Sequence, residues 1–147
     1  MNLEIREIDT TEAVCACFPL MRQFRPHLAS AEELAARWHS QCEQGYRLLG
    51  LYREQALLAL AGWRIMENLV HGRHMYVDDL VTDENYRGQG LGETLLNHLK
   101  RLAPQHGCAR LLLDTPMSNT LGHRFYYRQG LVATAFRFMQ ILEETRT

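Results

Sequence analysis

The chain lacks a lysine block, an acidic tail, a long apolar run and paired cysteines, and each absence removes a class of function. No stretch approaches the ~18 consecutive apolar residues that a membrane span needs, and no basic start leads into an apolar run as in a secretory signal. A soluble, cytoplasmic protein with no membrane partner is expected. The 16 basic and 17 acidic residues leave a formal net charge of −1. Nucleic-acid binding by counterion release normally shows as a basic stripe, so no nucleic-acid partner is expected either. The four cysteines, Cys15, Cys17, Cys42 and Cys108, do not have the paired C-x-x-C spacing of a zinc site. They read as small buried hydrophobes. His71 and His74 are three apart in what reads as a strand, where they point to opposite faces and cannot share a metal without a bulge. No metal is expected.

What is present is an ordinary globular composition. Hydrophobic residues make up 46% and charged residues 22% of the 147, which is enough for one core at about 150 residues per domain. One domain over residues 1–147 follows. Leu3, Ile5 and Ile8 mark a short first strand, and Val14, Phe18 and Met21 a helix running to Pro26. Ser30 and Glu33 form a capping box that opens a second helix, which Gly45 stops. Leu34, Trp38 and Cys42 are its buried stripe. Residues 48–52 and 56–66 read as a hairpin, 73–82 as a strand, 91–103 as a helix with Leu91, Leu95, Leu99 and Leu102 on one face. A strand at 110–115, a helix at 119–129 and a long final strand at 132–142 complete the order. The first strands are close enough to be antiparallel, whereas 73–115 is a right-handed βαβ unit that makes its strands parallel. The fold class is mixed α/β, with a mostly antiparallel central sheet.

The chemistry concentrates between the strand at 73–82 and the following helix, in Asp83-Glu84-Asn85-Tyr86-Arg87-Gly88-Gln89-Gly90-Leu91-Gly92-Glu93. Three glycines alternate with other residues where the first helical amides have no partner within the helix. Without Cβ atoms the backbone can close on an anion, and the helix dipole adds partial positive charge. This is a phosphate cradle, and Arg87 adds a permanent cation. A P-loop needs a lysine after its glycines, and a dinucleotide fingerprint needs a small residue where Glu93 stands. Both fail. R-x-x-G-x-G remains, as Arg87, Gly90 and Gly92.

Two blocks carry a family likeness: Y-V-D-D-L-V-T-D-E-N-Y-R-G-Q-G-L-G over 76–92 and N-T-L-G-H-R-F-Y-Y-R-Q-G over 119–130. The first resembles the pyrophosphate-binding motif of the GNAT superfamily of acyl-CoA N-acyltransferases, the second its N-x-x-A-x-x-F-Y-x-x-x-G-F block. The departures are Gly122 for alanine, Leu131 for phenylalanine and Thr82 for valine. The resemblance implies that the two parallel strands splay apart and that acetyl-CoA, as co-substrate, lays its pantetheine arm along the backbone of Leu80, Val81 and Thr82. Its pyrophosphate then rests on Arg87, Gly88, Gln89, Gly90, Leu91 and Gly92, beyond the carboxyl ends of the strands. Asn119 bonds the pantetheine or phosphate side. The likeness also allows a homodimer, since such members often pair through strands at the end of the sheet.

An ammonium of pKa near ~10.4 must lose a proton before it attacks a thioester. Asp78 and Asp79 are the candidates, of which only one enters the cleft unless a bulge re-aims both. Small-amine members similar to this chain divide the work of such a pair, so that Asp78 acts through water and Asp79 holds a cationic acceptor. The resemblance makes Tyr126 the general acid for the leaving thiolate, with Tyr127 the weaker choice. A backbone N–H near Leu80 is the oxyanion donor, and direct attack is expected because no cysteine or serine in these blocks has a histidine partner. Arg22, Arg25, His27, Arg37 and His39 lie on the helices that wall the cleft, either contacting an acidic group on the acceptor or forming a solvated face. The leading function is acetyl transfer from acetyl-CoA to a small primary amine. The alternatives are a protein or peptide acceptor, and a non-catalytic acyl-CoA-binding sensor.

Overall fold

Ser30 begins a helix as its spacing predicts: in the computed structural model, which describes residues 2–144, its hydroxyl accepts from the Glu33 amide at 3.1 Å. Glu33 reaches back one residue further than a simple capping box, accepting from the Ala29 amide at 2.7 Å. Contacts divide the chain into two units, Met1–Leu112 and Leu113–Thr147. The first holds β1 (Leu3–Glu7), α1 (Thr11–Ala16), α2 (Phe18–Phe24), α3 (Ala31–Cys42), β2 (Arg47–Arg53), β3 (Ala56–Asn68), β4 (Gly72–Thr82) and α4 (Leu91–Gln105). β5 (Leu111–Leu113) lies at the boundary, and α5 (Thr120–Arg128) belongs to the second unit.

Three expectations need correction. The helix expected to run to Pro26 is two helices, because Pro19 has no N–H and its ring clashes with the carbonyl four residues back. The chain breaks at Cys17 and restarts with the proline in the first turn of α2. Residues 132–142, expected as the long final strand, form no strand. An apolar, aromatic segment becomes a strand only where its backbone finds a ladder partner, and among the described residues this one has none; Phe136 and Phe138 in it are exposed. Cys42 is exposed at the end of α3, so only part of the expected set of buried thiols holds: Cys17 and Cys108 are buried, and Cys15 is half-buried.

The sheet runs in the order β1-β2-β3-β4-β5, antiparallel from β1 to β4 and closed by the parallel β4–β5 pair. The β2–β3 hairpin pairs Arg53 with Ala56. Its two-residue turn holds Glu54 at φ +57°. A cluster that includes Ile8, Val14, Trp38, Leu48, Leu60 and Val81 fills the space between the sheet and the first three helices. α4 packs on β3 and β4 through Leu95, Leu96 and Leu99, all 0% exposed. Each such burial contributes about 1.5–3 kcal/mol. These leucines are outside the first cluster, so α4 covers the opposite face.

β5 has three residues against eleven in β4, and their pairing starts where the Met75 amide donates to the Arg110 carbonyl at 3.0 Å. At 3.3 Å of rise per residue, so short a strand cannot cover the far end of β4. The backbone of Leu80, Val81 and Thr82 therefore lies past it, as the splayed arrangement requires.

Candidate active site

The acidic pair sits on a break in the β3–β4 ladder. Gly62 pairs with Asp79 and Trp63 with Val77, so Asp78 has no partner residue of its own. Such a bulge turns two consecutive side chains to one side, and both carboxylates join one network on the face of Gly62 and Arg64. Arg64 Nε donates to Asp78 Oδ2 at 2.8 Å and its Nη2 to Gln41 Oε1 at 2.9 Å. Arg25, the residue that closes α2, donates to Asp79 Oδ1 from Nε at 3.1 Å and from Nη2 at 2.9 Å. The same Nη2 reaches the Asp78 carbonyl at 2.9 Å. Tyr46 Oη completes Asp79 by donating to Oδ2 at 2.7 Å.

Burial sets the protonation of this cluster. It raises the Asp78 carboxyl above the usual aspartate value, with the hydrogen bond and charge of Arg64 partly offsetting it. Asp78 thus keeps its proton to a higher pH than a solvated aspartate and is a better match to a proton-accepting role near neutrality. Burial, followed by the Asp79 charge, raises the Tyr46 phenol well above its ordinary value, which keeps it a donor. Of the other basic residues on the helical wall, Arg37 pairs with Glu33 at 3.1 Å, His39 meets Thr11 at 3.1 Å, and Arg22 lies over the Phe18 ring.

Tyr46, Arg64 and Gln41 are not evident from motif spacing. The available signal is Gly62, a glycine inside an apolar strand, which marks a bulge or a close approach. A Cβ at Gly62 would overlap the Tyr46 hydroxyl and stand 2.7 Å from Asp79 Oδ2. Gly62→Ala is therefore expected to destabilise the fold by about 1–3 kcal/mol, from overpacking and from the displaced buried hydrogen bond. Urea denaturation checks this, and an unchanged midpoint would show that Tyr46 and Asp79 do not need the space. A cavity of about 320 Å³ lined by Asp9, Trp38, Cys42 and Tyr46, among others, shares Tyr46 with the network but contains neither aspartate.

Past β4, Asp83 Oδ1 accepts from the Asn85 amide at 2.9 Å and sets a single 3-10 turn at Glu84–Tyr86. Arg87, Gly88, Gln89 and Gly90 follow on the surface. Gly88 at φ +79° and Gly90 at φ +76° occupy the left-handed region. A Cβ at either would meet open space, so conformation rather than crowding calls for glycine there. Gly90 caps α4 with no side-chain hydrogen bond, and the first turn presents its amides to an external acceptor. Leu91, 2% exposed, anchors the turn, and Gly92 follows it in the helix.

In the second unit Asn119 caps α5. Its Oδ1 accepts from the Gly122 amide and its Nδ2 donates to the Thr115 hydroxyl, both at 3.1 Å. A Cβ at Gly122 would collide with the Asn119 amide group, which explains glycine at a position where the motif usually has alanine. Tyr126 is half-buried with its ring edge against Phe125, and burial raises its phenol pKa. Tyr127 is 59% exposed.

Among the described residues no three His, Cys, Asp or Glu side chains could hold a metal ion together. His71 lies in the turn before β4, which is how its ring comes within 5.5 Å of His74. Among those residues no helix is long and apolar enough to cross a membrane.

The model of the acetyltransferase (GNAT) family matches residues 9–131. An uncharacterised N-acetyltransferase, YhdJ of Bacillus subtilis, is 26% identical over 137 residues, 92% of this chain and 96% of that one. The spermine/spermidine N(1)-acetyltransferase of the same organism is 33% identical over 90 residues, 58% of this chain and 59% of its own. Among solved structures, an aminoglycoside N-acetyltransferase, AAC(6')-Iy in complex with CoA, superposes with a TM-score of 0.81 at 16% identity, covering 95% of this chain and 94% of that one.

Proposed function

The chain belongs to the acetyltransferase (GNAT) family, and from that premise we propose that it acetylates the primary amine of a small molecule by direct attack. It is an acetyl-CoA-dependent acyltransferase. The observation that carries the proposal is the exposed, uncapped turn at Gly88 and Gly90 beside Arg87, whose donors suit the pyrophosphate of acetyl-CoA. We assign the pantetheine arm to the backbone of Leu80, Val81 and Thr82, and a further contact to Asn119 through Nδ2. The family match spans both units, which supports one acyltransferase domain over 1–147.

Acetyl-CoA supplies the activated acyl carbon as a thioester. Asp78 takes the ammonium proton through water, and Asp79 orients the amine. The freed nitrogen lone pair forms the C–N bond as the C–S bond breaks, and Tyr126 gives its proton to the departing sulfur. The backbone N–H near Leu80 donates to the carbonyl oxygen as charge builds there. The nitrogen sheds its second proton to solvent as the amide forms, and the proton held by Asp78 returns to the phenolate through solvent, so ammonium and thioester give one amide, one CoA thiol and one free proton. A small acceptor is supported by the likeness to a spermine/spermidine acetyltransferase.

Thiol release from acetyl-CoA, screened over small amines and lysine peptides, tests this. Release with small amines is the expected result. Release with peptides alone would move the acceptor to proteins, and binding of acetyl-CoA without release from any acceptor would make the chain a sensor.

A further inference from the structure

Two aspartates and two arginines meet on the face of β3 and β4 that is proposed to receive the amine, so the cluster carries no net formal charge. Such a site is poorly suited to a polycation, because the charge that would attract it is already matched. Arg64 is the fixed member, 14% exposed and held between Asp78 and Gln41. Arg25 is the accessible one, 39% exposed at the C-terminal end of α2. Its guanidinium also lies 4.0 Å from the centre of the Phe24 ring, a stacking contact that does not depend on Asp79.

We infer that Arg25 is a specificity-determining residue and that the acceptor is an amine that also carries an anionic group, a carboxylate or a phosphate. The argument is one of exchange. An ammonium that binds Asp79 Oδ1 takes the position of the Arg25 Nε and Nη2 donors. The guanidinium cannot neutralise itself by losing a proton, so it needs another anion. Its planar fork binds a carboxylate or phosphate in two-point fashion, and an acceptor that brings such a group keeps every charge paired. A diamine instead brings a second cation next to the displaced guanidinium, and a plain alkylamine leaves that guanidinium without an anionic partner.

This inference rests on the acyltransferase reading, and the experiment separates the two. Acetyl-CoA binding is first measured by thermal shift. Initial rates then follow for four acceptors of matched length: butylamine, diaminobutane, aminobutanoate and aminopropyl phosphate. One or both anionic amines are expected to exceed the diamine by about tenfold in kcat/KM, the order of effect of a charge-assisted hydrogen bond. The better of the two names the anion. Arg25→Gln is expected to erase that preference mainly through KM, and Arg25→Lys to restore part of it. A diamine preference in the wild type overturns the inference, as does an equal loss for all four acceptors in Arg25→Gln, which is what a merely structural role would give. Acetyl-CoA binding with no turnover of any of the four also overturns it and leaves the acyltransferase reading intact. Absence of acetyl-CoA binding overturns both.

Discussion

Tyr126→Phe is expected to lower kcat by about a hundred- to ten-thousand-fold, the range for loss of a positioned proton donor, while acetyl-CoA affinity stays within about twofold of wild type. The substitution removes one oxygen and keeps the ring edge on Phe125, so packing in α5 is preserved. Burial raises the phenol pKa, which holds the proton in place at neutral pH for a thiolate to collect. Pre-steady-state release of CoA thiol, together with isothermal titration of acetyl-CoA, separates the step from binding. Normal turnover of an accepted amine by the variant would remove Tyr126 from the mechanism. Tyr127→Phe is the control, because that side chain is 59% exposed.

The second large effect is on ligand-linked stability. Acetyl-CoA at a hundred times its Kd is expected to stabilise the wild type by about 2.7 kcal/mol, a rise of roughly 5–10 °C in Tm for a chain of this size. Gly90→Val is expected to abolish that rise. Valine at φ +76° is strained by about 1–3 kcal/mol, and a branched side chain stands over the amides meant for the pyrophosphate. Gly90→Ala guards against a folding artefact: it carries less bulk at the same φ and is expected to keep a reduced shift. A wild-type melt unmoved by saturating acetyl-CoA would remove the cradle.

Local chemistry is legible in this chain and long-range register is not. The starts of α3 and α4 follow from Ser30 with Glu33 and from the glycines before Leu91, since a cap or a left-handed turn depends on neighbours within four residues. The break at Cys17 is local too, and Pro19 announces it. The joint orientation of Asp78 and Asp79 depends on Gly62, sixteen residues or more away in sequence, and only the β3–β4 pairing decides it. Arg25 is visible as one basic residue among several on the helical wall, but its partner is settled by how α2 crosses β3 and β4. Residues 132–142 fail for the converse reason: their apolar, β-branched and aromatic content suits a strand, but a strand needs a neighbour.

The bulge at Asp78 also inserts a side chain into the strand without shifting the pairing on either side of it. Val77 lies opposite Trp63, whose ring edge meets His106 just after α4, whereas Val81 lies opposite Leu60 and shares with it the cluster under the first three helices. Odd-numbered residues of β4 thus change faces at the extra residue. Deleting Asp78 would leave Val77 and Asp79 adjacent, opposite Trp63 and Gly62, and restore regular alternation with both halves of the strand on their present faces. The extra residue is therefore what sets a second carboxylate beside Asp79 while the packing on either side of it stays in register: its loss would take one member of the site and spare the core.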